Sequence, residues 1–316
     1  MSNQTAIQTA SESLSSDQLE VIISTVCNAV QSQHTKRAYA RALGEFMAWY
    51  QEQHQPALNK AVVQAYLSER RAEGMGVGSY NQARSAIMRL VREAVDNQAL
   101  DAQVAAGIEH ISSLKREGVR MGNWLTLKQA ERLIKQPDIT TLKGLRDRAI
   151  LGLLIGTGLR REELSHLTFE HIQQREGRWV IVDLIGKRGK VRSIPMPAWC
   201  KGTIDAWAQA AHLTDGLIFR AINKGDRIAS ESISSQAIYY LVVEYSAQAL
   251  GEDGVVQPHD LRRSFAQLAR KGGAQLEQIS LALGHASVQT TERYLGIKLD
   301  LEDAACDRLG VHINGF

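Results

Sequence analysis

From Asp17 onward the apolar positions of the chain recur at helical spacing. In DQLEVIISTVCNAV, Leu19, Ile22, Ile23 and Val26 fall at i, i+3, i+4 and i+7, one face of a helix. Thr35 is then expected to cap a longer helix carrying a stripe of Tyr39, Leu43, Phe46 and Tyr50. Asn59 opens a third helix that buries Val62, Val63, Tyr66 and Leu67 and stops at the glycines of GMGVG, residues 74–78. A fourth, from Ser79 to Asp96, aligns Ala83, Ile87, Leu90, Val91 and Ala94. Residues 17–110 therefore read as an all-helical domain. The polar, aperiodic residues 1–16 ahead of it are expected to be disordered.

Residues 111–123, ISSLKREGVRMGN, lack an apolar repeat and hold Lys115, Arg116 and Arg120 with two glycines, which reads as a basic linker. A second domain, 124–299, opens at Thr126 with Gln129 three residues on, a capping box. A buried helix (Gly144 to Ile155) and a short one from Arg160 to Leu167 follow. The period then changes to two: RWVIVDLIG (178–186) and KVRSIPMP (190–197) flank the turn Lys187-Arg188-Gly189 as a β-hairpin. Beyond Pro197 the pattern is helical again, strongest at Ala237, Tyr240, Leu241 and Val243. The expected fold is mainly α with a small antiparallel sheet.

Composition narrows the class only modestly. Hydrophobic residues make up 44% and charged residues 22%, ordinary for a globular chain and too apolar for disorder. A net charge of +3 permits a polyanion partner if the positive groups gather on one face. Cys27, Cys200 and Cys306 lie far apart without a CxxC pair, arguing against a disulfide framework or a cysteine zinc site. No Lys or Arg precedes Lys36, as a signal or transit peptide would need, and the longest strongly apolar run, Ala149 to Ile155, is too short to span a membrane. A cytoplasmic protein without a membrane anchor is expected.

Polar residues concentrate unusually at four places: GTGLRREEL (156–164), the hairpin turn GKRGK (186–190), PHDLRRSF (258–265) and LGHASVQTTERYL (283–295). Singly, each has an ordinary explanation. Arg160 could pair with Glu162 or Glu163, a turn lysine is usually just exposed, and a tyrosine on an amphipathic helix usually packs. Together they hold the groups required to attack a phosphodiester without a metal. Arginine forks hold non-bridging oxygens and stabilise the pentacoordinate charge. Tyrosine supplies an oxygen nucleophile, histidine takes or holds its proton near neutral pH, and lysine protonates the departing sugar oxygen. His259 and Arg262, at i and i+3, project from one helical face. No carboxylate cluster for a two-metal mechanism is evident.

These motifs resemble those of the tyrosine recombinases of the lambda-integrase type. TGLRREELSHLTFEHI resembles the first arginine motif and implies Arg160 as its catalytic arginine; IGKRGKVRSIPM resembles the hairpin lysine motif and implies Lys187, with Lys190 close by on the same hairpin. HDLRRSFA resembles the His-x-x-Arg motif and implies His259 and Arg262, while LGHASVQTTERYL implies His285 and the nucleophile Tyr294. Arg161 and Arg263 duplicate their neighbours, but a helix turns about 100° per residue, so adjacent residues cannot share a role. The family often has histidine where Arg263 stands. Thr35, Tyr39, Leu43, Phe46 and Trp49 resemble, less specifically, the first long helix of the family's DNA-clamping domain.

The resemblance implies site-specific cleavage and rejoining of double-stranded DNA through a 3′-phosphotyrosyl intermediate, with no metal, ATP or other cofactor. Lys36, Arg37, Arg41, Lys115, Arg116 and Arg120 are the expected phosphate contacts. It also implies paired recognition sites, a tetramer on DNA and room for accessory proteins. A catalytically silent DNA-binding regulator of the same fold would have no use for a complete nucleophile set. A metal site built on His259 and His285 with His166 or His171 fits no common zinc spacing, and the flanking arginines would repel a cation. In the tail, 300–316, Asp300 is a possible cap for a helix with Leu301, Ala304, Ala305 and Leu309 on one stripe, expected to dock on a neighbouring subunit rather than its own.

Overall fold

The computed structural model describes residues 16–115, 123–186, 189–285 and 287–296. The expected disorder before Ser16, most of the basic linker and the tail helix lie outside them. The chain divides into two compact units, Met1–Val119 and Arg120–Phe316.

Among the described residues the first unit holds α1 (Ser16–Asn28), α2 (Gln33–Glu52), α3 (Lys60–Ala72), α4 (Val77–Asp96) and α5 (Ala102–Glu109). The apolar stripes meet as the periodicity requires. Val26, Leu43, Phe46, Tyr50, Val63, Tyr66, Ile87 and Leu90 form one buried core. Two boundaries differ from expectation. Ser32, not Thr35, caps α2, because its hydroxyl accepts from the Thr35 N–H, placing Thr35 inside the helix. The start of the presumed linker is docked: Ile111 is buried, and Asn81 exchanges two 2.8 Å hydrogen bonds with the backbone of Leu114.

The second unit opens on α6 (Leu127–Lys135) with the expected Thr126–Gln129 capping box. Next comes α7 (Leu142–Thr157), whose AILGLLI stretch is apolar on every side and buried throughout. It packs against α9 (Ala198–Ala210) and α11 (Pro258–Lys271). A one-turn helix, α8 (Arg161–Ser165), leads into the antiparallel sheet β1-β2-β3. In it β2 (Arg178–Ile185) and β3 (Val191–Met196) form the expected hairpin, and β1 (Ile172–Arg175) adds an edge. Ile181 pairs with Ile194, then the register slips before Leu184, where Asp183 adopts φ 55°. A short pair, β4 (Ala221–Ile222) and β5 (Ile228–Ser230), precedes α10 (Ser235–Leu250). The unit closes, among the described residues, with α12 (Leu276–Leu283) and α13 (Val288–Leu295). Ala266, Ile279, Leu283 and Leu295 make a small separate core that binds α11, α12 and α13 together. No helix among the described residues is long and apolar enough to cross a membrane.

Candidate active site

Five of the six expected catalytic residues are described, and they face one another where α8, α11 and α13 begin or meet. Lys187 lies outside the described residues. Lys190 is described: its side chain is exposed, and its carbonyl accepts from Gly186 N–H at 2.7 Å, closing the hairpin.

The end of α7 positions Arg160. Gly158 caps the helix at φ 64°, a left-handed conformation that glycine alone adopts without strain. Any Cβ there would come within 2.6 Å of the Phe265 ring. The chain then leaves α7 through the buried Leu159 and presents Arg160 just ahead of α8. Glu163, one turn on, accepts the Arg160 backbone N–H at 2.8 Å and its guanidinium at 2.7 Å. Glu163 is one of the two acids that the sequence offers as partner for Arg160.

Glu163 is doubly bound. From β3, Arg192 forks onto both of its carboxylate oxygens, at 2.9 and 2.8 Å. Burial opposes the charge on Glu163, but the bonds and charges of Arg192 and Arg160 outweigh it and hold the carboxyl down at about 2. Arg192 also donates to the Ala282 carbonyl at 3.1 Å, and a Cβ on Gly284 would come within 2.9 Å of it. This arginine thus ties the hairpin both to the Glu163 carboxylate that binds Arg160 and to the turn that carries His285. Sequence reasoning missed it, because its partners are 29 and 90 residues away and a lone arginine on a strand carries no local signal.

Pro258 at the first turn and the Asp260 side chain, which accepts the Gln257 N–H at 3.0 Å, fix the start of α11. Leu261, Arg262 and Ser264 turn inward, and Ser264 accepts the Leu125 N–H at 2.8 Å. Arg262 is 2% exposed and donates to the Gly158 carbonyl at 2.6 Å and to the Leu283 carbonyl. Burial, then the charge of Arg160, lowers its pKa to about 9, so it stays a cation at neutral pH and gains from any anion that enters. His259 remains open to solvent at the edge of the site. Lost hydration, then Arg262 and Arg263, lower its pKa.

Gly284 ends α12 at φ 62° and turns the chain into His285. The His285 Nδ1 lies 2.9 Å from the hydroxyl of the buried Thr291, leaving Nε2 for other partners. Burial and the charge of Arg262 lower this imidazole to about 4, so it is neutral at physiological pH. Thr291 is a second residue the sequence reading did not single out. On α13, Tyr294 lies between the two imidazoles, its ring 5.5 Å from His259 and 5.4 Å from His285, edge-on to each. Its hydroxyl donates to the His259 carbonyl at 3.3 Å. Burial raises the phenol pKa and Arg262 and Arg263 oppose that rise; the net shift is upward, so the free hydroxyl keeps its proton at neutral pH.

The other histidines go elsewhere. His166 Nδ1 contacts the Glu162 carbonyl at 2.8 Å, and His171 Nδ1 the Thr168 hydroxyl at 2.7 Å. Among the described residues no three His, Cys, Asp or Glu side chains come together in a group that could hold a metal ion. Of the expected DNA contacts, Arg37 and Lys115 are exposed. Lys36 donates to Asn28 at 3.0 Å, and the exposed Arg41 pairs with Glu45 at 2.8 Å. Arg116 and Arg120 lie outside the described residues.

A mostly helical unit that sets two arginines, two histidines and a tyrosine around one cationic site defines a tyrosine recombinase. Comparison with known proteins places it more closely. Residues 123–298 match the phage integrase family and residues 27–98 its N-terminal SAM-like domain, so the chain belongs to the phage integrase family. It is 28% identical over 271 residues to the tyrosine recombinase XerD of Shewanella oneidensis, covering 83% of this chain and 86% of that protein. To the tyrosine recombinase XerC of Pelobacter propionicus it is 30% identical over 276 residues, 85% of this chain and 86% of the relative. Among solved structures it resembles the XerH site-specific recombinase bound to palindromic difH substrate, with a TM-score of 0.69, 21% identity and coverage of 89% and 81% of the two chains. It also resembles a lambda integrase dimer bound to a COC′ core site, residues 75–356, with a TM-score of 0.66, 18% identity and coverage of 89% and 96%. The protein is an enzyme of the tyrosine site-specific recombinase class, which breaks and rejoins DNA strands.

Proposed function

We propose that Tyr294 is the nucleophile and that the chain cleaves double-stranded DNA at paired recognition sites. Its phenolic oxygen attacks a backbone phosphorus; the new O–P bond forms as the bond to the 5′-oxygen of the next sugar breaks. The products are a 3′-phosphotyrosyl link and a free 5′-hydroxyl. The tyrosine proton passes to a neutral imidazole, His285 or His259, and the departing oxygen takes a proton from the hairpin lysine, Lys187 or Lys190. Arg160 and Arg262 hold the non-bridging oxygens and stabilise the charge that builds on them. Attack by the 5′-hydroxyl of another strand reverses these steps, and the covalent link conserves the bond energy, so rejoining needs no ATP.

The observation that carries this reading is the setting of Tyr294. Its ring touches both imidazoles, and the charges of Arg262 and Arg160 bear on its hydroxyl. Lys36, Arg37, Arg41, Lys115, Arg116 and Arg120 are assigned to the phosphates that flank the cleavage point. The working assembly is a tetramer on two DNA duplexes in the cytoplasm, joined by the tail 300–316 docking between neighbours. The helical first unit (17–110), the basic linker (111–123) and the catalytic unit (124–299) divide the work of clamping and cutting.

A nicked suicide substrate, which loses its 5′-hydroxyl fragment after cleavage, tests the chemistry. Wild-type protein should accumulate a protein–DNA adduct that survives denaturing electrophoresis. Tyr294→Phe, which removes one oxygen atom, should bind the DNA and yield none. An adduct formed by the Tyr294→Phe protein would show that another residue is the nucleophile.

A further inference from the structure

The two arginines that follow the expected catalytic pair each stack on a tyrosine, and the contexts differ. Arg161 lies over the Tyr239 ring of α10, 5.5 Å from its centroid. Arg263 lies over the ring of Tyr294 itself, at 5.1 Å. Its Nε is buried and makes no hydrogen bond. Arg262, one residue earlier on α11, points about 100° away and spends its donors on the Gly158 and Leu283 carbonyls. The two adjacent arginines therefore address different atoms.

We propose that Arg263 is a positioning residue for the nucleophile, one that holds the Tyr294 ring and favours its phenolate through the π face. The assignment rests on Tyr294 being the attacking group. The ring is gripped on three sides: His259 and His285 meet it edge-on, both at 79°, and the Arg263 guanidinium covers it. A cation over an aromatic face is attracted by the electron density of the ring, and the attraction grows when desolvated. That density is greater in a phenolate than in a phenol. As the proton leaves Tyr294, the contact strengthens; once the oxygen is bonded to phosphorus, it relaxes. Arg263 thus contributes most near the transition state, without touching the phosphate. The half-buried Arg263 keeps its Nε out of water without a hydrogen bond, so the ring of Tyr294 is the contact its cation makes there, and that contact gains as the ring becomes anionic.

The test uses full-length protein, single-turnover cleavage and protein in saturating excess over a suicide substrate, so that weaker binding does not enter the rate. The substrate carries a sulfur in place of the bridging 5′-oxygen, a leaving group that needs no protonation, which confines the reading to nucleophilic attack. Arg263→Gln should cleave it about tenfold to thirtyfold more slowly than wild type. Arg263→Lys, which keeps the cation, should recover most of that loss. Arg263→His supplies a titratable cation. The groups facing Tyr294 are His259, Asp260, Arg262 and Arg263 of α11, Arg160 ahead of α8 and His285 ahead of α13. All except position 263 are the same residues in variant and wild type, and His259, whose pKa Arg263 also lowers, is followed by its own NMR titration in both proteins so that its share of the pH dependence is subtracted. The ratio of the Arg263→His rate to the wild-type rate should therefore fall as pH rises from about 5 to about 8, while the imidazolium loses its charge. Circular dichroism checks the fold of each variant; if Arg263→Gln does not fold, the lysine and histidine variants decide. Equal rates for Arg263→Gln and wild type, a lysine variant as slow as the glutamine one, or a pH-independent rate ratio would each overturn the proposal. Those results leave Tyr294→Phe inactive; an active Tyr294→Phe would instead overturn the nucleophile assignment beneath it.

Discussion

Glu163 shows how a single buried acid can serve both stability and chemistry. Its side chain is 5% exposed and bound to Arg160 and Arg192 at once. Removing Glu163 leaves the mostly buried Arg192 without a counter-charge, which costs about 3 kcal/mol or more. The carboxyl ionises near 2 in the folded chain against an ordinary value of 4.5, so its charged form stabilises the fold above about pH 4.5 and that contribution is lost as pH falls through 2. Denaturant unfolding followed between about pH 5 and pH 2 should show wild type losing about 3 kcal/mol more than Glu163→Gln over that window. Parallel stability curves would show that the arginines do not hold this carboxyl as described. At this scale the sequence was partly legible. Arg160, His259, Arg262, His285 and Tyr294 stand in recognisable motifs, and Glu163, a helical turn from Arg160, was within reach as its partner. Arg192, Thr291 and the contact between Arg263 and Tyr294 were not legible, because each depends on elements joined only by the fold.

At the scale of elements, the junction between α7 and α8 governs the site. Gly158 must take a left-handed conformation while Phe265 of α11 packs against its Cα, and its carbonyl accepts from Arg262. Gly158→Ala adds both backbone strain and a clash with a ring that belongs to the core between α11 and α13. Denaturant unfolding should report a loss of about 2–4 kcal/mol. A loss under 0.5 kcal/mol would mean that the junction yields easily. The long elements could be read from periodicity alone, since α2, α4 and α7 run 16–20 residues. The β2–β3 hairpin could be read because its period changes to two. The edge strand β1 could not: it is four residues, IQQR, mostly polar and with a single apolar position, too few to show a period of two. The eight-residue α5 escaped for a similar reason, too short to display a full stripe.

The molecule as a whole is built of two units. The first unit is a helical body whose core is closed by four aromatic side chains, Phe46, Trp49, Tyr50 and Tyr66, in mutual contact. The second brings the charges of Arg160, Arg262 and Arg263 to bear on Tyr294, opposed by that of Asp260. A formal charge of +3 spread over 316 residues conceals this local excess, which is where a phosphate would be drawn. Composition therefore said little about the partner, and the clustered motifs said most. The claim on which the account rests is that the Tyr294 oxygen becomes joined to DNA. Its most direct test is to trap the adduct on a suicide substrate, digest protein and DNA, and locate the residual nucleotide by tandem mass spectrometry. The account predicts a 3′-nucleotide phosphate on the phenolic oxygen of Tyr294. The nucleotide found on any other side chain, or no covalent link while strands are still exchanged, would contradict it.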